Sequence, residues 1–362
     1  MAYRKLPVPP HYRPESMTDL YRINLNGTPQ GGFQDGLATQ AHRWAQQHNL
    51  THVATDPFKI AMLLIDVQDD FCNPAGNLFV GGAVEDNQRL ARFIYENLGH
   101  LTHLAPTLDT HTMMQIFHSI YLVDRQGNHP APYTMIDPDA VAAGDWVVNP
   151  EVAHSVGGNA GTYMQLNAQF RDYVKRLHEG TGDPSRTGAQ AAKYLLTIWP
   201  YHTLLGTVGH TLVGGIMEAC LFHTVARRAQ TDFQIKGGKP TTENYSIFKP
   251  EVLVWPDGRP MAQKNTHLLQ TLLRHDAVII AGQAGSHCVA WTIDDLLQDI
   301  LALDPKLAQK VHILRDCTSP VIVPGVVDWT DEMNRAFDRF QNAGMHLVST
   351  TQELASWPGI RL

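Results

Sequence analysis

From Lys59 onward the chain alternates short apolar runs with amphipathic stretches, and this rhythm constrains the fold more than any other feature. An apolar run of four to eight residues without polar alternation is a strand buried on both faces. Such strands joined by helices form a parallel sheet with helices on either side. The runs are IAMLLID (Ile60 to Asp66), LAPTLD (ending at Asp109), LLTIW (ending at Trp199), DFQIK (ending at Lys236), AVIIAG (Ala277 to Gly282) and VHILR (Val311 to Arg315). A late run, MHLVS, adds at most an edge. Helices are expected at Val84 to Leu98, Thr211 to Arg228, Cys288 to Leu303 and Asp331 to Asn342. The expectation is a three-layer αβα fold around a mostly parallel sheet of about six strands.

Two regions break the rhythm. Residues 1–57 carry many Pro, Asn, Gln and Gly around one amphipathic stretch near Leu37 to His48, and read as an N-terminal extension laid over the core. Residues from about 124 to 192 are rich in Gly, Pro and Asn with one helical piece near Gln165 to His178, and read as an insertion able to lid or edge a site. Residues 58–362 are then one enlarged domain rather than two equal ones.

Composition excludes several classes of function. With 43% hydrophobic and 17% charged residues the chain falls among folded globular proteins. A net charge of -7 without a Lys/Arg-rich run argues against nucleic acid, which demands a concentrated basic face. No run of about eighteen apolar residues or apolar leader occurs, so no membrane partner is expected. Cys72, Cys220, Cys288 and Cys317 are too dispersed for a disulfide framework and fit a reducing, cytoplasmic setting. A small-molecule substrate is expected, and a homo-oligomer is compatible with this reading.

In open α/β sheets ligands bind at the carboxyl ends of the strands, so polar residues closing a strand carry most weight. Cys288 follows AVIIAG through the small residues of GQAGSH and opens an amphipathic helix. A thiol at a helix N-terminus is biased toward thiolate, and the N–H groups there can hold an oxyanion. A buried structural cysteine is the alternative. Asp66 closes a strongly apolar strand, where a carboxylate suits a base that takes a thiol proton and returns it to a leaving amine; it could also serve only to bind its own turn. Lys236 precedes Gly237 and Gly238 and is either a cation that keeps neighbouring anions charged or a solvated loop lysine.

Asp109 and His111 stand at i and i+2 in an extended segment, on the same side, and His202 follows another strand end. One carboxylate and two imidazoles suit a divalent metal ion such as Zn²⁺, Fe²⁺ or Mn²⁺. His118 is a possible fourth ligand. Phe71, Trp199 and Tyr201 are aromatics beside these positions, or plain core packing.

The blocks LLIDVQDDFC, DTH, IWPYHTLLGTVG, IKGG and GSHCVAWTIDDL stand in the order seen in nicotinamidases. Over roughly Ile60 to Val348 the chain resembles the nicotinamidase branch of the isochorismatase-like cysteine hydrolases. The resemblance implies a catalytic triad of Asp66, Lys236 and Cys288. It implies metal ligation by Asp109, His111 and His202, zinc foremost. It also implies a cis peptide before Ala284, an oxyanion hole from the N–H groups of Ala284 and Cys288, and a pyridine ring flanked by Phe71 and Trp199. The activity implied is hydrolysis of a carboxamide C–N bond through a Cys thioester, nicotinamide to nicotinate and ammonia, as in pyridine nucleotide salvage. Departures touch the substrate: GTVGH replaces the family's usual GTPGA, Thr110 stands in place of the usual aromatic, and compact members lack the extension and insertion. Another small amide or ureido compound, or a metal- or ligand-binding protein without catalysis, are the alternatives.

Overall fold

The apolar runs Ile60–Ile65 and Ala277–Gly282 form neighbouring parallel strands in the computed structural model, with every residue of both buried. The structure describes residues 3–19, 23–27, 36–157, 162–179 and 194–362. Two stretches of the expected insertion, 158–161 and 180–193, lie outside the described residues, as do 1–2, 20–22 and 28–35 of the extension.

In chain order the elements begin with α1 (Leu37–Gln47), β1 (Ile60–Ile65), the single turn α2 (Asp69–Cys72), α3 (Ala83–Glu96) and β2 (Leu101–Asp109). Short elements follow: β3 (Leu122–Val123), β4 (Met135–Ile136), α4 (Pro138–Ala143), β5 (Val147–Val148), α5 (Pro150–Gly157), the longer α6 (Tyr163–Glu179) and β6 (Leu196–Thr197). Next come α7 (Gly214–Arg227), β7 (Gln234–Lys236), α8 (Thr266–Leu273), β8 (Ala277–Gly282), α9 (Cys288–Leu303) and β9 (Val311–Leu314). The chain closes with β10 (Ile322–Val323), β11 (Val327–Asp328), α10 (Thr330–Asn342) and β12 (His346–Val348).

The main sheet has six strands in the order β12-β9-β8-β1-β2-β7, and its assigned pairings, β1 with β2 and β8, β8 with β9, and β9 with β12, are all parallel. Helices flank it as the middle of three layers: α1 and α3 pack on α7, and α10 packs on α9. Each buried Leu or Ile of these strands contributes about 1.5–3 kcal/mol relative to exposure. No described helix is long and apolar enough to cross a membrane.

One strand assignment is corrected. LLTIW yields only β6, which pairs antiparallel with β4 in a separate two-stranded sheet, while MHLVS supplies the sixth strand of the main sheet as β12. Trp199 runs into Pro200, which has no N–H to donate, so that apolar run cannot extend into a ladder.

The chain divides into two compact units. The first comprises residues 1–108, 208–234 and 266–362; the second comprises 109–207 and 235–265. Within the first, the N-terminal residues are fastened onto the helices: Leu6 N–H donates to Glu96 O at 2.8 Å and Tyr12 Oη to Gln88 O at 2.8 Å. Buried Arg227 of α7 pairs with Asp56 just ahead of β1. In the second unit, α6 packs on α4, α5 and β5.

The strand order reverses about β1, since β2 lies on one side of it and β8 on the other. That reversal is where an α/β sheet opens a crevice at its carboxyl edge. Register Ile60↔Ala277 through Ile65↔Gly282 brings β1 and β8 to that edge level with each other.

Candidate active site

Two residues from the sequence reading stand at this edge. Asp66 follows β1 directly and is fully buried, with a left-handed φ of 44° that a non-glycine residue adopts only under local strain. Thr107 of β2 fixes it twice: its Oγ1 accepts from the Asp66 N–H at 2.9 Å and donates to Asp66 Oδ1 at 2.5 Å. Cys288 opens α9 and is 6% exposed. A carboxylate oxygen of Asp66 and the Cys288 sulfur lie within 4.8 Å of each other.

The turn between β8 and α9 explains how the sulfur reaches that position. Gly282 has φ 123°, and a Cβ on it would lie 2.0 Å from Ile65 O, so only glycine lets β8 approach β1 there. Gln283 N–H then donates to Ile65 O at 2.8 Å, and the Gln283–Ala284 peptide is cis, as the resemblance implies. The helix following Cys288 leaves its first N–H groups without intrahelical acceptors, a setting that favours an anion. Phe71 lies buried in α2 of this unit.

The second unit holds the remaining residues. Residues 199–205 run beside two parts of the loop after β2: Trp199 N–H donates to Phe117 O at 2.8 Å, His111 N–H to Thr203 O at 3.1 Å, and Leu205 N–H to His111 O at 2.9 Å. These pairings draw His111, His118 and His202 into a buried group whose ligand nitrogens all lie within 4.8 Å of one another. Each ring has Nδ1 against a main-chain oxygen: His111 with His202 O at 3.2 Å, His118 with Met113 O at 3.1 Å, His202 with Pro200 O at 2.7 Å. A carbonyl only accepts, so in His118 and His202 Nδ1 carries the proton and Nε2 keeps the lone pair.

These residues fit a divalent cation. His118 Nε2 is buried with no hydrogen-bond partner among the described residues. Burial pushes the His118 imidazole down to about 3, with His111 adding to the effect, and holds His202 well below its ordinary value, with His111 and His118 adding. Neutral imidazoles with oriented Nε2 lone pairs are the form that ligates a metal.

Asp109 adjoins this group through His111, with Oδ1 3.0 Å from His111 Nε2 and 3.0 Å from Lys236 Nζ. Burial pushes its carboxyl up, but His111, Lys236 and His202 outweigh burial and hold it below the usual carboxylate range. Lys236 is placed by β7, whose last carbonyl accepts from Thr110 N–H at 2.9 Å. Gly237 follows with φ 86°, and a Cβ there would sit 2.5 Å from Asp109 Oδ1. Trp199 is buried and donates from Nε1 to Tyr245 Oη at 2.8 Å; the Tyr201 ring lies edge-on to His118, centroids 4.8 Å apart.

Asp66, Ala284, Cys288 and Phe71 thus belong to the first unit, and Asp109, His111, His202, Lys236 and Trp199 to the second. The tight histidine group has His118 as its third imidazole. Thr107 and Tyr245 carried no strand-end signal; only the hydroxyls' partners in space reveal them.

Compared with known proteins, the chain matches no family model and no curated protein. Solved structures similar to it include a nicotinamidase/pyrazinamidase from Acinetobacter baumanii, at 18% identity and TM-score 0.47 over 82% of this chain and 98% of that one. The yeast nicotinamidase bound to the inhibitor nicotinaldehyde matches at 18% identity and TM-score 0.48, over 80% and 99%. A pyrazinamidase of Pyrococcus horikoshii in complex with zinc matches at 17% identity and TM-score 0.41, over 80% and 98%. At this level the likeness concerns the course of the chain, and the chemistry rests on the residues themselves.

Proposed function

We propose that the chain is a cysteine amidohydrolase that cleaves the C–N bond of a small carboxamide, nicotinamide foremost, through a thioester on Cys288. The observation that carries this reading is the pairing of a buried carboxylate and a buried thiol, Asp66 and Cys288, within 4.8 Å at the level ends of two parallel strands. Asp66 takes the thiol proton and the sulfur attacks the carboxamide carbon. The N–H groups of Ala284 and Cys288 donate to the oxyanion, an arrangement worth several kcal/mol when preorganised. The C–N bond breaks as the proton on Asp66 passes to the leaving nitrogen, releasing ammonia. Asp66 then takes a proton from water, which attacks the thioester carbonyl, and returns it to the sulfur as the acid leaves.

Lys236 keeps Asp109 ionised. His111, His118 and His202, with Asp109 adjoining, would hold a divalent cation, zinc foremost. When bound, such an ion supplies a Lewis-acid site for a heteroatom of the substrate and so favours a heteroaromatic amide. In the same unit, Trp199 offers a flat apolar face for such a ring.

Ammonia release from nicotinamide tests this reading. The wild-type protein should turn nicotinamide over, and Cys288→Ala should lower kcat by at least about a thousandfold, the scale of losing a nucleophile. Retained turnover in that variant would contradict the thioester. The GTVGH segment favours, as a second reading, a different small amide or ureido compound on the same machinery; the same assay across a panel of such compounds ranks them by kcat/KM.

A further inference from the structure

Asp86 lies on α3, 2% exposed, and three donors converge on its carboxylate. Gln283 Nε2 donates to Oδ2 at 2.8 Å, Ser319 Oγ to Oδ2 at 2.7 Å, and Arg89 Nη2 to Oδ1 at 2.7 Å. Gln283 is fully buried and begins the turn that delivers Cys288. Its other amide atom, Oε1, accepts from Ser319 N–H at 3.3 Å, and Ser319 O accepts from Gly285 N–H at 2.7 Å. Further along, Ser286 Oγ accepts from Val321 N–H at 3.0 Å. Residues 283–286 are thereby bound on one side by Asp86 and on the other by residues 319–321, and Asp86, Gln283 and Ser319 are not among the residues proposed above to touch substrate.

We infer that Asp86 is a positioning residue for the nucleophile turn, holding Gln283 and Ser319 so that the Ala284 and Cys288 N–H groups and the Cys288 sulfur keep one fixed geometry. The inference rests on the proposed amidohydrolase reading. A buried carboxylate with several donors is a stiff anchor, because each ionic hydrogen bond is about twice as strong as a neutral one. The network also has a fixed polarity. With Asn at 86, the one remaining oxygen serves either Gln283 and Ser319 or Arg89, and the amide nitrogen turns a donor toward whichever is left. With Glu at 283, two carboxylates face each other. The exchanged pair, Asp86→Asn with Gln283→Glu, restores one acceptor opposite each donor.

The experiment compares wild type, Asp86→Asn, Gln283→Glu and the double variant, each in the full chain, by nicotinamide turnover and by the rate of Cys288 alkylation with iodoacetamide. Each single substitution should lower kcat by about tenfold or more with KM changed by less than about twofold, since displaced oxyanion donors act on the transition state alone. The double variant should recover to within about threefold of wild type, and alkylation rates should follow the same pattern without any substrate. A merely structural role would lower melting temperature without this reciprocal recovery. Turnover in Asp86→Asn within twofold of wild type, or a folded double variant no better than the singles, would overturn the inference. If Asp86→Asn does not fold, Ser319→Ala takes its place and should lower kcat alone; wild-type kcat in that variant would likewise overturn it. If wild type hydrolyses no amide, the proposed function fails instead, and the alkylation rates still decide the role of Asp86.

Discussion

His118 and His202 each commit Nδ1 to a main-chain oxygen, which leaves Nε2 as the ligand atom, and with His111 they form a buried group whose ligand nitrogens lie within 4.8 Å of one another. His111 has a further neighbour at Nδ1, the Thr203 hydroxyl at 3.1 Å, carried on a residue with φ 46°. Partners of this kind orient a ligand and raise its basicity, and losing one typically costs about 10–100-fold in metal affinity. Thr203→Val keeps the shape and removes the hydroxyl contact, so zinc titration should show affinity weaker by about that factor; unchanged affinity would exclude the role. The sequence disclosed His111 and His202 because they follow strand ends or lie two residues from a carboxylate. His118 was legible only as a possibility, since its approach depends on Trp199 pairing with Phe117, a contact between residues 82 positions apart that no local pattern encodes.

At the scale of elements, the pattern of apolar runs located the strands that place Asp66 and Cys288, and the expected α9 span of Cys288 to Leu303 coincides with the helix found. The small residue at Gly282 serves the close contact of β8 with the β1 main chain. Gly282→Ala should therefore destabilise the protein by roughly 2–5 kcal/mol, combining φ strain with overpacking. Urea unfolding of the purified variant measures it, and a loss below about 0.5 kcal/mol would contradict the packing described. LLTIW was misread because an apolar run alone does not say which sheet a strand joins; MHLVS is the edge strand expected of it, and only the last residue of β12 is buried. Helix α8, Thr266–Leu273, went unread because eight residues barely exceed two turns, too short for periodicity to declare itself.

For the whole molecule, the sequence disclosed the three-layer architecture but not the grouping into two units. The second unit joins 109–207 to 235–265 across an intervening helix that belongs to the first, and such a grouping exists only once the chain has folded. The account depends on Cys288 becoming covalently acylated during turnover. Mass spectrometry of enzyme quenched in the steady state with nicotinamide, followed by peptide mapping, measures this most directly. The account predicts an acyl group on the peptide containing Cys288, absent from those containing Cys72, Cys220 and Cys317 and absent from Asp66→Asn, which forms the thioester too slowly. Turnover that proceeds with Cys288 unmodified, even after rapid acid quenching of a single turnover, would contradict it.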